Sequence, residues 1–153
     1  MPKAHISWKG NMQFIGQDRY GHEVLMEASP QYGGDGKGIT PMEMLLAALG
    51  GCAGIDIVTM LKARGQNLAS YDVAIEGVRR DEHPKTFREI EVKFTFGGQL
   101  DRAIVDRVVS ITMTKLCPIA HMLDRTSSLK WSYEIIGTPA AQAPESGKAD
   151  VKS

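Results

Sequence analysis

The chain lacks net charge: its 153 residues carry 18 Lys+Arg against 18 Asp+Glu. Recognition of nucleic acid through phosphate charge needs a basic excess or stripe, so no nucleic-acid partner is expected. Cysteine is scarce. There are two, with no Cys-x-x-Cys pair, which argues against a disulfide framework and leaves room only for a transient, catalytic bond. The opening Met1-Pro-Lys-Ala-His-Ile-Ser-Trp-Lys9 has no apolar stretch like that of a secretory signal, and together with the two thiols this points to the cytoplasm. Long apolar runs are absent but for residues 41–61. Glu43, Asp56 and the pair Gly50-Gly51 interrupt that segment, so it is expected to be a buried core helix and not a membrane span. What is present is an ordinary soluble composition, 42% apolar and 24% charged, with the length of one domain.

Residues 4–8 and 12–15 read as strands across the turn Lys9-Gly10-Asn11, and residues 22–27 as a third. The loop 32–38 holds four of the sixteen glycines. Thr40-Pro41, with Glu43 three residues after the threonine, is a capping box with proline at the first helical position. It predicts a helix from 41 to about 64, stopped at Gly65. That helix is apolar nearly all round, so it should be central and covered on most sides. Gly50-Gly51 in its middle implies a kink or a close backbone approach beside Cys52. Residues 71–79 and 88–96 alternate as half-buried antiparallel strands joined by residues 81–86. Residues 101–115 form a second helix, Cys117-Pro118 opens a short third one through Leu123, and 129–136 is a last strand. The domain is expected to span residues 1–136, followed by a polar, disordered tail, 137–153.

The two thiols carry the chemistry. Cys52 lies in the apolar run Pro41-Met-Glu-Met-Leu-Leu-Ala-Ala-Leu-Gly-Gly-Cys52, where burial keeps a thiol protonated unless a cation, a helix dipole or a base acts on it. Cys117, directly before Pro118, has the position of a helix N-cap. Free N–H groups and the dipole there are expected to lower its pKa. The two are 117 − 52 = 65 positions apart, a spacing compatible with contact or with none.

The block Pro41…Gly50-Gly51-Cys52, followed by Lys115-Leu-Cys117-Pro118 and with the turn Glu82-His83-Pro84 between them, resembles the OsmC/Ohr family over about residues 3–136. The resemblance implies an α+β fold: an intertwined homodimer with antiparallel sheets around a long central cysteine-bearing helix and sites at the interface. It implies reduction of organic hydroperoxides by thiols, without metal or other cofactor. Cys52 would be the attacking thiol and Cys117 the resolving one, with a lipoyl-type dithiol as the reductant. The family's activating arginine lies in the early strands, where Arg19 is the only arginine before residue 64. Its glutamate directly follows the helix-opening proline. Here Met42 takes that place and Glu43 comes one residue later, a rotation of about 100° on a helix.

Other residues have plainer roles to weigh. Asp56, four after Cys52, shares its helical face. A carboxylate there raises a thiol pKa, so Asp56 is expected to pair with a cation (Arg19, or one across a dimer) or to relay a proton. Cys117 and His121 have metal-ligand spacing but no evident third and fourth ligands, so no metal is expected. His83 reads as a turn residue. Met42, Met44, Met60, Met113 and Met122 would serve as core or as a pliable apolar lining. The second functional reading is a protein that binds an apolar or thiol-reactive small molecule in the interface pocket without peroxidase turnover.

Overall fold

The architecture is α+β, in two three-stranded sheets and three helices. The computed structural model describes residues 1–137; the polar tail read from the sequence lies, but for Gly137, outside the described residues. The first sheet is an antiparallel meander of β1 (Ala4–Trp8), β2 (Gln13–Asp18) and β3 (Glu23–Glu27). A turn of 3-10 helix, Pro30–Tyr32, and the glycine loop then lead to α1, Pro41–Ala63. Thr40 caps it as the sequence predicts. Its hydroxyl accepts the Glu43 N–H at 3.3 Å, and the Glu43 carboxylate accepts the Thr40 N–H at 3.2 Å. Such a box contributes about 1 kcal/mol. Gly65, at φ +68°, turns the chain out of the helix in the left-handed region.

The second sheet holds β4 (Asn67–Arg79), β5 (Phe87–Gln99) and β6 (Ser128–Ile136), in that order. β4 and β5 are an antiparallel pair, as the alternation predicts. β6, however, runs parallel to β5, so the expectation of wholly antiparallel sheets is corrected: this sheet is mixed. A parallel neighbour needs a long crossover. Here α2 (Arg102–Ile111), a π-helical turn (Thr112–Leu116) and α3 (Pro118–Asp124) supply it. Asp101 caps α2 by accepting the N–H groups of Ala103 and Ile104 at 2.8 and 3.2 Å. The sequence reading of one helix over 101–115 misses the π turn, whose wider winding leaves no trace in an apolar period.

The core forms where α1 meets the inward residues of β5 and the crossover helices. Leu49, Ile57 and Leu61 pack with Ile90, Phe94 and Val105, all at most 1% exposed. Each fully buried side chain of this size contributes about 1.5–3 kcal/mol. The expectation that α1 would be covered on most sides fails within one chain. Only 33% of its most apolar 18-residue window is buried, and Ile55 is 71% exposed. The first sheet also keeps apolar surface in the open, with Ile6 53% and Trp8 67% exposed.

Glu27, at the end of β3, is the exception to its charge: it is 1% exposed. Its carboxylate accepts the N–H groups of Asp35 (2.9 Å), Lys37 and Gly38, and the side-chain amide of Gln13. The Gly38 N–H is foremost in holding its pKa below the ordinary 4.5, with the other donors adding, against a smaller opposing effect of desolvation. A lowered folded pKa stabilises above the unfolded value and ceases to do so as pH falls through the folded one. Glu27→Gln is therefore expected to lower Tm by several degrees at pH 7, with the gap to wild type closing below about pH 4.5. Equal melting curves at pH 7 would refute this latch.

Candidate functional site

The helix α1 lies along β4, and glycines let it lie close. A methyl group on Gly50 would stand 3.0 Å from Val73 Cγ1, and one on Gly54 would stand 3.0 Å from the Tyr71 ring. Of the kink and close approach expected here, the structure shows the approach, and α1 is unbroken from Pro41 to Ala63. Tyr71 uses that proximity: its hydroxyl donates to the Gly50 carbonyl at 3.0 Å. Cys52, half-buried, stands between these two glycines and packs against the core cluster.

The other thiol arrives on the crossover. The π turn ends with the Cys117 N–H donating to the Thr112 carbonyl at 2.9 Å, which sets the cysteine as the N-cap of α3. Its Sγ accepts the Ala120 N–H at 3.4 Å, and the residue is 1% exposed. Thr112 Oγ1 is buried beside this turn and has no hydrogen-bond partner among the described residues. The N-cap geometry is as predicted, but its expected effect is reversed. Burial pushes the Cys117 thiol up to about 11, and the Ala120 N–H does not offset it. The Cys52 thiol adds to the rise, and Cys52 packs against the same core cluster that contains Cys117. Tyr71 joins them. Desolvation, then the charge of Cys117 and of Asp72, pushes its phenol up to about 12.

The remaining sequence candidates divide. Glu43 Oε2 takes the Thr40 hydroxyl at 2.7 Å besides the Thr40 N–H, and these two bonds hold its pKa below the usual range. Arg19 is elsewhere, on the exposed turn between β2 and β3. Its guanidinium stacks 4.6 Å from the centre of the Tyr20 ring and donates to the Met1 carbonyl at 3.5 Å. Neither thiol is among those partners. Asp56 is half-buried on the face of Cys52, with no ion-pair partner among the described residues. His121 faces the guanidinium of Arg125 at 3.2 Å. His83 lies in the β4–β5 turn. Met113 is core, Met42 lines a cleft and Met122 is 62% exposed.

Two adjoining clefts run between α1 and β4 and share Glu43 and Leu46. One, of about 250 Å³, is walled by Ala47, Gly50, Gly51, Val73 and Ile75 and ends one residue before Cys52. The other, of about 590 Å³, opens beyond Glu43 against Arg79, Arg80 and Lys85. Sequence reasoning misses Tyr71 and these three cations. Strand alternation marks Tyr71 as inward-facing, and the i, i+4 pair Gly50 and Gly54 on the cysteine helix leaves room for its ring.

This chain matches the OsmC-like protein family over residues 34–132. It belongs to that family. Among curated relatives, protein YhfA of Escherichia coli (strain K12) is 35% identical over 135 residues, spanning 88% of this chain and 98% of that protein. Among solved structures, a hypothetical protein from Aquifex aeolicus VF5 superposes with a TM-score of 0.81 at 26% identity, over 91% of this chain and 98% of that one. An organic hydroperoxide resistance protein OsmC from Legionella pneumophila superposes with a TM-score of 0.66 over 87% and 96% of the two chains. At 15% identity the last shares the fold alone. The OsmC-like fold thus accounts for the cysteine helix, the mixed sheet and the crossover together.

Proposed function

We propose that the protein is a thiol-dependent reductase of organic hydroperoxides, a cytoplasmic enzyme working as an intertwined homodimer. One observation supports the proposal: Cys52 of α1, half-buried, packs against the core cluster that holds the buried Cys117 of the crossover, 65 positions away in sequence. In the first step the Cys52 thiolate attacks the peroxide: an S–O bond forms, the O–O bond breaks, and the leaving alkoxide takes a proton to become an alcohol. In the second, Cys117 attacks the Cys52 sulfenic acid, an S–S bond forms and water leaves. An external lipoyl-type dithiol then reduces the disulfide and is itself oxidised. Arg19 would stabilise the thiolate and Glu43 would orient that guanidinium, with Arg19 reaching the site from the second chain. The uncovered faces of α1 and of the first sheet support such an exchange of surfaces.

The second reading, binding of an apolar or thiol-reactive molecule without turnover, draws support from Cys117, whose thiol stays protonated at neutral pH. The two readings separate in one experiment. Reduced protein is mixed with cumene hydroperoxide, and with hydrogen peroxide in parallel, and followed by stopped flow, intact mass and native mass. Fast oxidation selective for the alkyl peroxide, ending two hydrogens lighter per chain, is expected in an assembly of twice 16.7 kDa. Because only the thiolate resolves, the disulfide step should quicken about tenfold per pH unit. That rise should level off at or below about 11, the Cys117 pKa of the reduced protein, since Cys52 as a sulfenic acid no longer raises it through thiolate charge. Oxidation no faster than a free thiol's, with no disulfide, sinks the enzyme and leaves the pocket; a 16.7 kDa native mass sinks the shared site.

A further inference from the structure

The larger cleft contains three cations that no carboxylate of the described residues engages. Among the described residues the ion pairs involve His22, Lys37, Arg88 and Lys93, and none involves Arg79, Arg80 or Lys85. Arg79 gives its Nε–H to the Lys85 carbonyl at 2.7 Å, and Arg80 gives one N–H to the Thr126 carbonyl at 3.3 Å. A guanidinium has five donors, so each keeps most of its fork for a ligand.

Three carboxylates line the same cleft, Glu27, Glu43 and Asp81. Glu27 is already held by backbone N–H groups and Glu43 by Thr40. Two of the three carboxylates are thus satisfied internally, which leaves Asp81 alone to face three cations. The floor past Glu43 then turns apolar, through Leu46 and Ala47 to the glycines before Cys52. Nine residues of helix separate Glu43 from Cys52, about 14 Å at 1.5 Å per residue. The groove is basic at its far end and apolar toward the thiol.

We propose that Arg79, Arg80 and Lys85 bind the anionic head of an amphiphile, a carboxylate or a phosphate, whose apolar chain lies over Leu46, Ala47 and Gly50–Gly51 toward Cys52. Planar guanidinium forks recognise both anions in bidentate fashion. As the substrate's identity, this rests on the peroxidase reading; as a binding site it stands without it. Such a molecule would place its head in the larger cleft and its chain in the smaller one, the two clefts adjoining at Glu43 and Leu46.

The test measures binding, not turnover. Reduced protein is titrated calorimetrically with dodecanoate, dodecyl phosphate and dodecanol, each below its micellar concentration. At least one anion should bind about tenfold or more tightly than dodecanol, the worth of a charged hydrogen bond. The tighter of the two names the head. Lys85→Gln and Arg79→Gln should each remove most of that margin and leave dodecanol binding unchanged, while Arg79→Lys restores part of it. Circular dichroism verifies that the variants fold; Lys85→Gln removes no side-chain hydrogen bond seen in the fold, so it reports even if Arg79→Gln does not. Equal affinity for all three compounds, or anion binding untouched by Lys85→Gln, would overturn the site. Anion selectivity in a protein that shows no peroxide chemistry would leave it standing while the enzymatic reading fell.

Discussion

Cys52→Ser is expected to lower hydroperoxide turnover on the order of 10³-fold or more, while Cys117→Ser permits one oxidation and then stops. The asymmetry follows from the chemistry. A serine hydroxyl at position 52 stays protonated at neutral pH and has no lone pair soft enough to attack an O–O bond. A serine at position 117 leaves the first step intact and removes only the resolving sulfur. The Cys117→Ser protein should gain one oxygen atom on exposure to one equivalent of cumene hydroperoxide, a mass shift distinct from disulfide formation. Both substitutions are close to isosteric, so melting curves should stay near wild type and tie any loss to chemistry. Neither variant should affect binding of an unreactive apolar ligand. A Cys52→Ser protein that still turns over would transfer the attacking role to Cys117, and the proposed order of events would be wrong.

Phe94→Ala should have the largest effect on stability. Phe94 is fully buried and stacks on Phe96, with ring centres 6.0 Å apart and planes 9° from parallel. Tyr71 tilts against both, at 6.1 and 5.9 Å. Truncation to alanine leaves a cavity and a loss of about 3–5 kcal/mol, a large part of the 5–15 kcal/mol typical of a domain. It also removes the ring that backs Tyr71, whose hydroxyl holds the Gly50 carbonyl beside the cysteine turn. Urea titration should show the midpoint falling with little change in slope, and Phe94→Leu should recover much of the difference. A shift under 1 kcal/mol would mean that the rings repack freely and that Tyr71 is not braced through them.

Much of this was legible in the chain because it depends on local rules. Thr40-Pro41…Glu43 announces a helix start by hydrogen bonding within four residues, and the structure has that box. Cys117-Pro118 announces an N-cap for the same reason. What the sequence could not give is set by the surroundings. The Cys117 pKa moves opposite to the capping argument because burial, contributed by residues far away in sequence, outweighs one N–H. Strand alternation places Tyr71 inward, but not against Cys117. The direction of β6 depends on how the crossover lies, which residues 129–136 do not encode. Arg19, assigned through family resemblance, lies on an exposed turn of the first sheet, where it meets the Tyr20 ring and the Met1 carbonyl.

The glycine loop has a consequence for what this fold excludes. Residues 33–38, Gly-Gly-Asp-Gly-Lys-Gly, have the makeup of loops that cradle nucleotide phosphates with successive amides. Here the amides of Asp35, Lys37 and Gly38 already face the Glu27 carboxylate. The chain has supplied its own anion, tethered a few residues away, and a free phosphate would have to compete with a group at very high effective concentration. Residues 32–38 are thereby a self-occupied cradle: three of the loop's amides are already spent on a side chain that cannot diffuse away.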